Sequence, residues 1–162
     1  MTNKQEVLRK IEELKQELEK YEGELSKPDG KGWERVENDE LYYFTNSSGE
    51  VSEDGDWNSI TDDKRFESAN YNTSKEYLEQ IAFSQTLERK MIRYRDLNDV
   101  GEIDWKNDDQ AKHYIYYSHN LGELLIDCYY RIDCNNVHFI SLDVARNCLE
   151  EFKEDLLKKY TT

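Results

Sequence analysis

Apolar side chains recur at steps of four, three, four, three and four from Val7 through Ile11, Leu14, Leu18 and Tyr21 to Leu25. This is the seam of a heptad helix, predicted over residues 3–26. Asn3 with Glu6, or Thr2 with Gln5, supplies a capping box at its start, and Pro28-Asp29-Gly30-Lys31-Gly32 ends it. The seam allows two readings, an amphipathic helix on its own domain or an intermolecular coiled coil. The linker that follows frees the helix and favours the coil. A parallel dimer would oppose Lys10 with Lys15 and Glu17 with Glu22, so an antiparallel pairing, in a homodimer or with a partner helix, is the better match.

After the linker the period shortens to that of strands. Leu41-Tyr42-Tyr43-Phe44, the turn Asn46-Ser47-Ser48-Gly49 and Glu50-Val51 predict a hairpin. A polar loop over 52–63 and a strand over 65–72 follow. Thr73-Ser74-Lys75-Glu76 then caps a helix to about Leu97. The second half repeats the order: a strand at 114–117, a turn at Asn120-Leu121-Gly122, strands at 123–131 and 137–140 around a turn at 133–136, and a helix from the Ser141 cap to about Tyr160. Setting Tyr71-Asn72-Thr73 against Phe139-Ile140-Ser141 suggests a degenerate duplication. The expected fold is therefore α+β: a coiled-coil helix (1–27), a linker (28–32), a first ββ(β)α unit (33–98), a connector (99–111) and a second βββα unit (112–162), the two units packed as one domain.

Composition changes this picture in one respect. Charged residues make up 36% of the chain, a fraction typical of disorder, but 12 Tyr, 5 Phe and 3 Trp are too many for a chain with nothing to bury. A thin, Tyr-rich core is expected, its hydroxyls reaching the surface. No run of residues has the length and apolarity of a membrane span or a signal peptide, so a cytoplasmic location is expected.

The net charge of −14 constrains partners more than chemistry. Residues 33–72 carry eleven Asp or Glu against three Lys or Arg. Such a field repels nucleic acids and anionic membranes and attracts basic protein surfaces. Glu50, Glu53, Asp54, Asp56, Asp62 and Asp63 are the candidate partner-binding acids, with Trp57 as an aromatic anchor in their midst. Solvated surface is the plainer alternative for the same residues. Val7, Ile11, Leu14, Leu18, Tyr21 and Leu25 are the candidate self-association residues. The basic run 89–95 is expected to pair with the acidic loop.

Candidate metal chemistry does not hold up. Cys128 and Cys134 stand five residues apart, wider than the usual zinc pair, so His138, His113 or His119 would complete an irregular set. Buried thiols and a surface His138 are expected, with Cys148 equally structural and no metal or cofactor bound. Residues 50–56 faintly suggest a calcium loop, but the position of its bidentate Glu is Thr61. No zinc-protease, phosphate-loop or nucleophile-elbow motif occurs, and no enzymatic activity is expected.

Two resemblances follow from the residues quoted. Gly32-Trp33, Leu41 to Val51 and Gly55-Asp56-Trp57 resemble a single choline-binding cell-wall repeat, which we ascribe to shared hairpin physics. Tyr42-Tyr43, Asn46, Gly49 and Val51, then Asn70-Tyr71-Asn72-Thr73 with Glu76, and then 114–117, Val137 to Ser141 and Lys158-Lys159-Tyr160, resemble small accessory proteins of phages and prophages of Gram-positive bacteria. Tyr71 and Tyr77 depart from the Phe and Ala usual there. The resemblance implies a non-enzymatic, anti-CRISPR-like inhibitor of a host defence protein with a basic nucleic-acid channel. The alternative is a coiled-coil adaptor or assembly protein without a nuclease target.

Overall fold

The structure is a computed structural model and describes residues 31–131 and 137–161, with Lys10 and Lys15 ahead of them. The heptad seam and its coiled coil, and the turn at 133–136 with Cys134, lie outside the described residues. Among the described residues the chain is mixed α+β, with four helices and two small antiparallel sheets. It divides into two compact units. One takes in the described residues up to Asn46 with Val51–Leu78, the other Ser47–Glu50 with Glu79–Thr162.

In the first unit β1 (Leu41–Thr45) pairs with β2 (Val51–Gly55) in the register Leu41↔Gly55, Tyr43↔Glu53 and Thr45↔Val51. The turn between them includes Gly49 at φ 85°, a conformation that suits glycine. The strand expected at 65–72 does not form. Residues 60–67 are instead the helix α1 (Ile60–Glu67), nucleated by a complete capping box in which the Ser59 and Asp62 side chains each accept from the other's backbone N–H. What remains of the strand is one bridge, Tyr43↔Asn72, with hydrogen bonds of 2.7 and 2.9 Å in the two directions. The Asn70 side-chain amide extends this edge, accepting from Thr45 N at 2.7 Å and donating to Thr45 O at 2.9 Å. A side chain thus does for β1 what a longer strand would have done.

In the second unit β3 (Lys112–Ser118) is central, with β4 (Glu123–Tyr129) antiparallel on one side and β5 (His138–Phe139) on the other. The long helix α2 (Lys75–Asn98) contributes its residues from Glu79 onward. The expected single C-terminal helix is two, α3 (Leu142–Glu151) and α4 (Lys153–Thr161), broken at Phe152. No proline or glycine marks the break. Phe152 packs on the core and meets Tyr94 edge-on at 5.9 Å. The core unites Leu87, Met91, Ile115, Phe139, Ala145, Cys148, Leu149 and Leu156.

Apart from the inserted α1, the two halves of the chain share an order of parts: a hairpin, a short segment pairing with the hairpin's first strand, and a helix opened by serine. Ser74 Oγ accepts from Tyr77 N at 3.3 Å, as Ser141 Oγ accepts from Val144 N at 3.4 Å. The equivalent of Ser141 is therefore Ser74, one residue beyond the Thr73 expected. That shift sets Asn72 against Phe139, which pair with Tyr43 and His113 respectively.

Candidate functional site

The first unit is organised around Tyr42 and Tyr71, both buried, with their rings stacked at 4.0 Å and 11°. Two buried phenols must find partners for their hydroxyls. Tyr42 donates to Asp62 Oδ1 at 2.8 Å, and Tyr71 donates to Asp56 Oδ2 at 2.9 Å. Each carboxylate then needs more donors. Asp56 is held in a bidentate fork by Arg35, at 2.7 and 2.9 Å, and accepts from Asn58 N at 2.8 Å. Asp62 accepts from Trp57 N at 3.1 Å and Ser59 N at 2.9 Å. Arg35 continues to Asp63 at 2.6 Å. Arg65 joins Tyr42 Oη at 2.5 Å to Asp54 at 2.7 Å, with its guanidinium 3.5 Å from the Phe44 ring centre.

The electrostatics follow from these partners. The Arg35 hydrogen bonds outweigh burial and hold the Asp56 carboxyl at about 2, against an ordinary 3.8. Burial alone would raise Asp62, but bonds from Ser59, Tyr42 and Trp57 prevail and lower it. Burial pushes both Tyr42 and Tyr71 up to about 12.

This network corrects the expectation that Asp56 and Asp62 are partner-binding acids, and equally the alternative that they are solvated surface. Asp56 and Asp62 are 0% and 2% exposed and serve the interior. Asp54 and Asp63 are about half exposed, each in an ion pair with Arg65 or Arg35. Glu53 is exposed on β2, and Glu50 is exposed in the segment that belongs to the second unit. The basic run 89–95 does not supply the counter-charges of Asp54, Asp56 and Asp63: Lys90 pairs with Asp155 and Arg95 with Asp96. Arg35 and Arg65, which the sequence left unremarked, do.

Trp57 remains outside, 60% exposed, as do Leu41 at 61% and Ile60 at 74%. The Trp57 indole covers the Gly55 backbone, where an added Cβ would stand 3.1 Å from Nε1, and Leu41 lies opposite Gly55 in the register. Trp57 is also fixed in place. Its neighbour Asp56 is buried, Asn58 takes a left-handed φ of 52°, and its own N–H is bound to Asp62. The turn 37–40 grips the same segment through Asp39 N to Asp56 O at 2.7 Å, Asp56 N to Glu40 O at 3.0 Å and Asn58 Nδ2 to Asn38 Oδ1 at 2.9 Å. The outcome is an exposed indole on a hydrogen-bonded backbone segment, with the exposed acids Asp39, Glu40 and Glu53 on the turn and strand that flank it.

In the second unit the connector 99–111 is a built loop. Asp104 N donates to Gln110 Oε1 at 2.8 Å, and Gln110 Nε2 to Glu102 O at 3.2 Å. Lys112, fully buried, spends its ammonium on the carbonyls of Asn107, Gln110 and Tyr130 at 2.7 to 2.9 Å. Asp99 accepts from Ile140 N at 2.6 Å and Ser141 N at 3.1 Å. The loop borders a cavity of about 450 Å³ with Trp105 and His138 in its wall. His138 is 3% exposed, not the surface residue expected, and meets Trp105 edge-on at 5.0 Å. The cluster of Asx residues around Trp105 was the available signal, since such side chains tie short loops into fixed turns.

Cys128 is half-buried in β4, and Cys148 is buried, its thiol pushed up to about 12 by burial. Among the described residues no three His, Cys, Asp or Glu side chains gather into a metal-binding group, and no helix is long and apolar enough to cross a membrane. No protein-family model, curated protein or solved structure matches the chain.

Proposed function

We propose that this is a non-enzymatic binding protein that docks its Trp57 spot, with the surrounding carboxylates, on the basic nucleic-acid-binding surface of a host defence protein and so inhibits it. The observation that carries the reading is the rigid presentation of an exposed tryptophan. A large aromatic left in water costs stability, whereas at an interface it supplies binding energy without an ordering penalty. Acidic residues around it and a net charge of −14 steer a basic partner and repel nucleic acid. The phage-protein resemblance supplies the choice of a defence protein, and the charge supplies the chemistry of its surface.

The test is capture of partners from bacterial lysate on the immobilised chain, repeated with added DNA, with raised salt, and with Trp57→Ala or Glu53→Lys. Neither substitution touches the buried network. The reading expects captured nucleic-acid-binding proteins to be displaced by DNA and released by salt, with both variants weakened. Asp56→Lys, by contrast, sets a cation in the buried site beside Arg35 and is expected to destabilise the unit, so it cannot serve as a surface probe. Capture indifferent to salt, DNA and both variants overturns the reading. Capture lost only on deleting residues 1–27 establishes the coiled-coil adaptor instead.

A further inference from the structure

We infer that the cavity beside the 99–111 loop is a binding site for an organic cation bearing a guanidinium or ammonium group. The inference concerns the second unit alone and goes beyond the partner docking proposed for the first. The cavity, at about 450 Å³, falls in the size range of small-ligand sites. Its lining carries three carboxylates, Asp96, Asp99 and Glu102, against the single guanidinium of Arg95. Two of these four charges neutralise each other: Arg95 binds Asp96 Oδ1 through Nε at 2.9 Å and Nη2 at 2.7 Å. Asp99 is committed to the Ile140 and Ser141 amides. Glu102 is exposed, and only its backbone carbonyl is used by the loop. The field inside is therefore negative, which repels phosphates and carboxylates and selects cations.

The apolar wall makes the preference sharper. Trp105 presents part of its indole, 37% exposed, and is held by His138 edge-on at 5.0 Å. Trp is the best aromatic platform for a cation, and an adjacent carboxylate adds the directional bond a guanidinium or ammonium seeks. Lys112 lies 5.6 Å from the same ring with its three donors spent on carbonyl oxygens, which fixes the loop; its one charge is outnumbered by the Asp99 and Glu102 carboxylates. The pieces are preorganised: a hydrogen-bonded loop, a braced indole and a rim carboxylate. One ligand chemistry has two sources here, a free small cation or the arginine side chain of a protein.

The experiment titrates the full chain with argininamide acetylated at its α-amine by calorimetry, beside citrullinamide acetylated in the same way, its neutral isostere, and a capped glycine pentapeptide with arginine at its centre. Saturable argininamide binding is expected, with citrullinamide weaker by about tenfold. Glu102→Gln and Trp105→Ala should each weaken argininamide several-fold, and Trp57→Ala should leave it unchanged. Glu102→Gln is a surface change that leaves the loop bonds intact, so the test survives if Trp105→Ala fails to fold. A pentapeptide that binds as tightly as argininamide assigns the site to protein arginines, and one that binds more than about tenfold more weakly assigns it to free cations. Absence of saturation, equal binding of citrullinamide, or indifference to Glu102→Gln overturns the inference.

Discussion

At the centre of the first unit, Tyr42 and Tyr71 lie stacked with their hydroxyls on Asp62 and Asp56, which are themselves tied to Arg35 and to backbone amides. At the centre of the second, Phe139, Ile115, Ala145, Cys148 and Leu156 form a cluster of apolar side chains. The two halves of the chain share an order of elements, but the two units fill their interiors differently. A polar interior depends on named partners, because each buried carboxylate or phenol is costly once its partner is gone. An apolar interior depends on volume, and any side chain of similar size restores much of what is lost. The same economy leaves Trp57 outside: with two acids and two tyrosines filling the small first unit, its indole lies over Gly55 facing solvent.

Substitutions should separate the two interiors by rescue more than by size. Phe139→Ala is expected to cost about 4 kcal/mol in urea unfolding, with Phe139→Leu recovering a large part of it. Asp56→Ala is expected to cost about 3 kcal/mol, the lower part of the range for a broken buried pair because Arg35 is partly solvated. Asp56→Asn keeps the shape and should recover little, since it loses the charge that the guanidinium fork binds. If Asp56→Asn proves nearly neutral, the first unit is held by shape and the contrast fails.

Local changes of smaller effect probe the joints. Gly32 has a φ of 76°, and a Cβ there would collide with the Asn72 side-chain oxygen and stand 2.8 Å from Thr73 Oγ1. Gly32→Ala should therefore cost at least about 1 kcal/mol, through strain and displacement of the Asn72 side chain, which donates to Lys31 O at 2.9 Å and accepts from Ser74 N at 2.7 Å, and heat unfolding measures it. Ser141→Ala should cost about 1 kcal/mol, because it removes the cap of α3.

Where the sequence was legible, the signal was periodic or chemical. The two hairpins, their turns and the start of the C-terminal helix follow from aromatic runs, glycine turns and a serine cap, although β2 continues through residues 52–55, where a polar loop was expected. Helix α1 escaped because Phe66 and Tyr71 gave residues 65–72 a strand-like look, while the Ser59 and Asp62 box that nucleates it lies within an acidic, loop-like stretch. The burial of Asp56 and Asp62 escaped because acids default to the surface and their donors are distant in sequence: Arg35 stands 21 residues from Asp56, and Tyr42 stands 20 from Asp62. The break at Phe152 carries no proline or glycine and comes from packing. The connector 99–111 was passed over because its order resides in side-chain bonds to the backbone, which no periodicity reveals.

Acid distinguishes the interiors better than alkali. Tyr42, Tyr71 and Cys148 are all raised to about 12 by burial, so the stability they lend is complete below their unfolded values and lost as pH climbs toward 12 in both units. Asp56 is depressed to about 2, so its contribution is complete above its unfolded value of 3.8 and lost as pH falls toward 2; Asp62 shifts in the same direction. The core cluster of the second unit contains no carboxylate.

The most direct measurement is therefore native-state amide hydrogen exchange, corrected for intrinsic rates, at steps between about pH 5 and pH 2, the span that brackets both Asp56 values. The Tyr43 and Asn72 amides, which pair with each other's carbonyls, report the first unit, and the Ile115 and Tyr116 amides of β3 report the second. Loss of protection at Tyr43 and Asn72 while Ile115 and Tyr116 hold is the expected result. Simultaneous loss, or loss in β3 first, would contradict a first unit held together by its buried carboxylates.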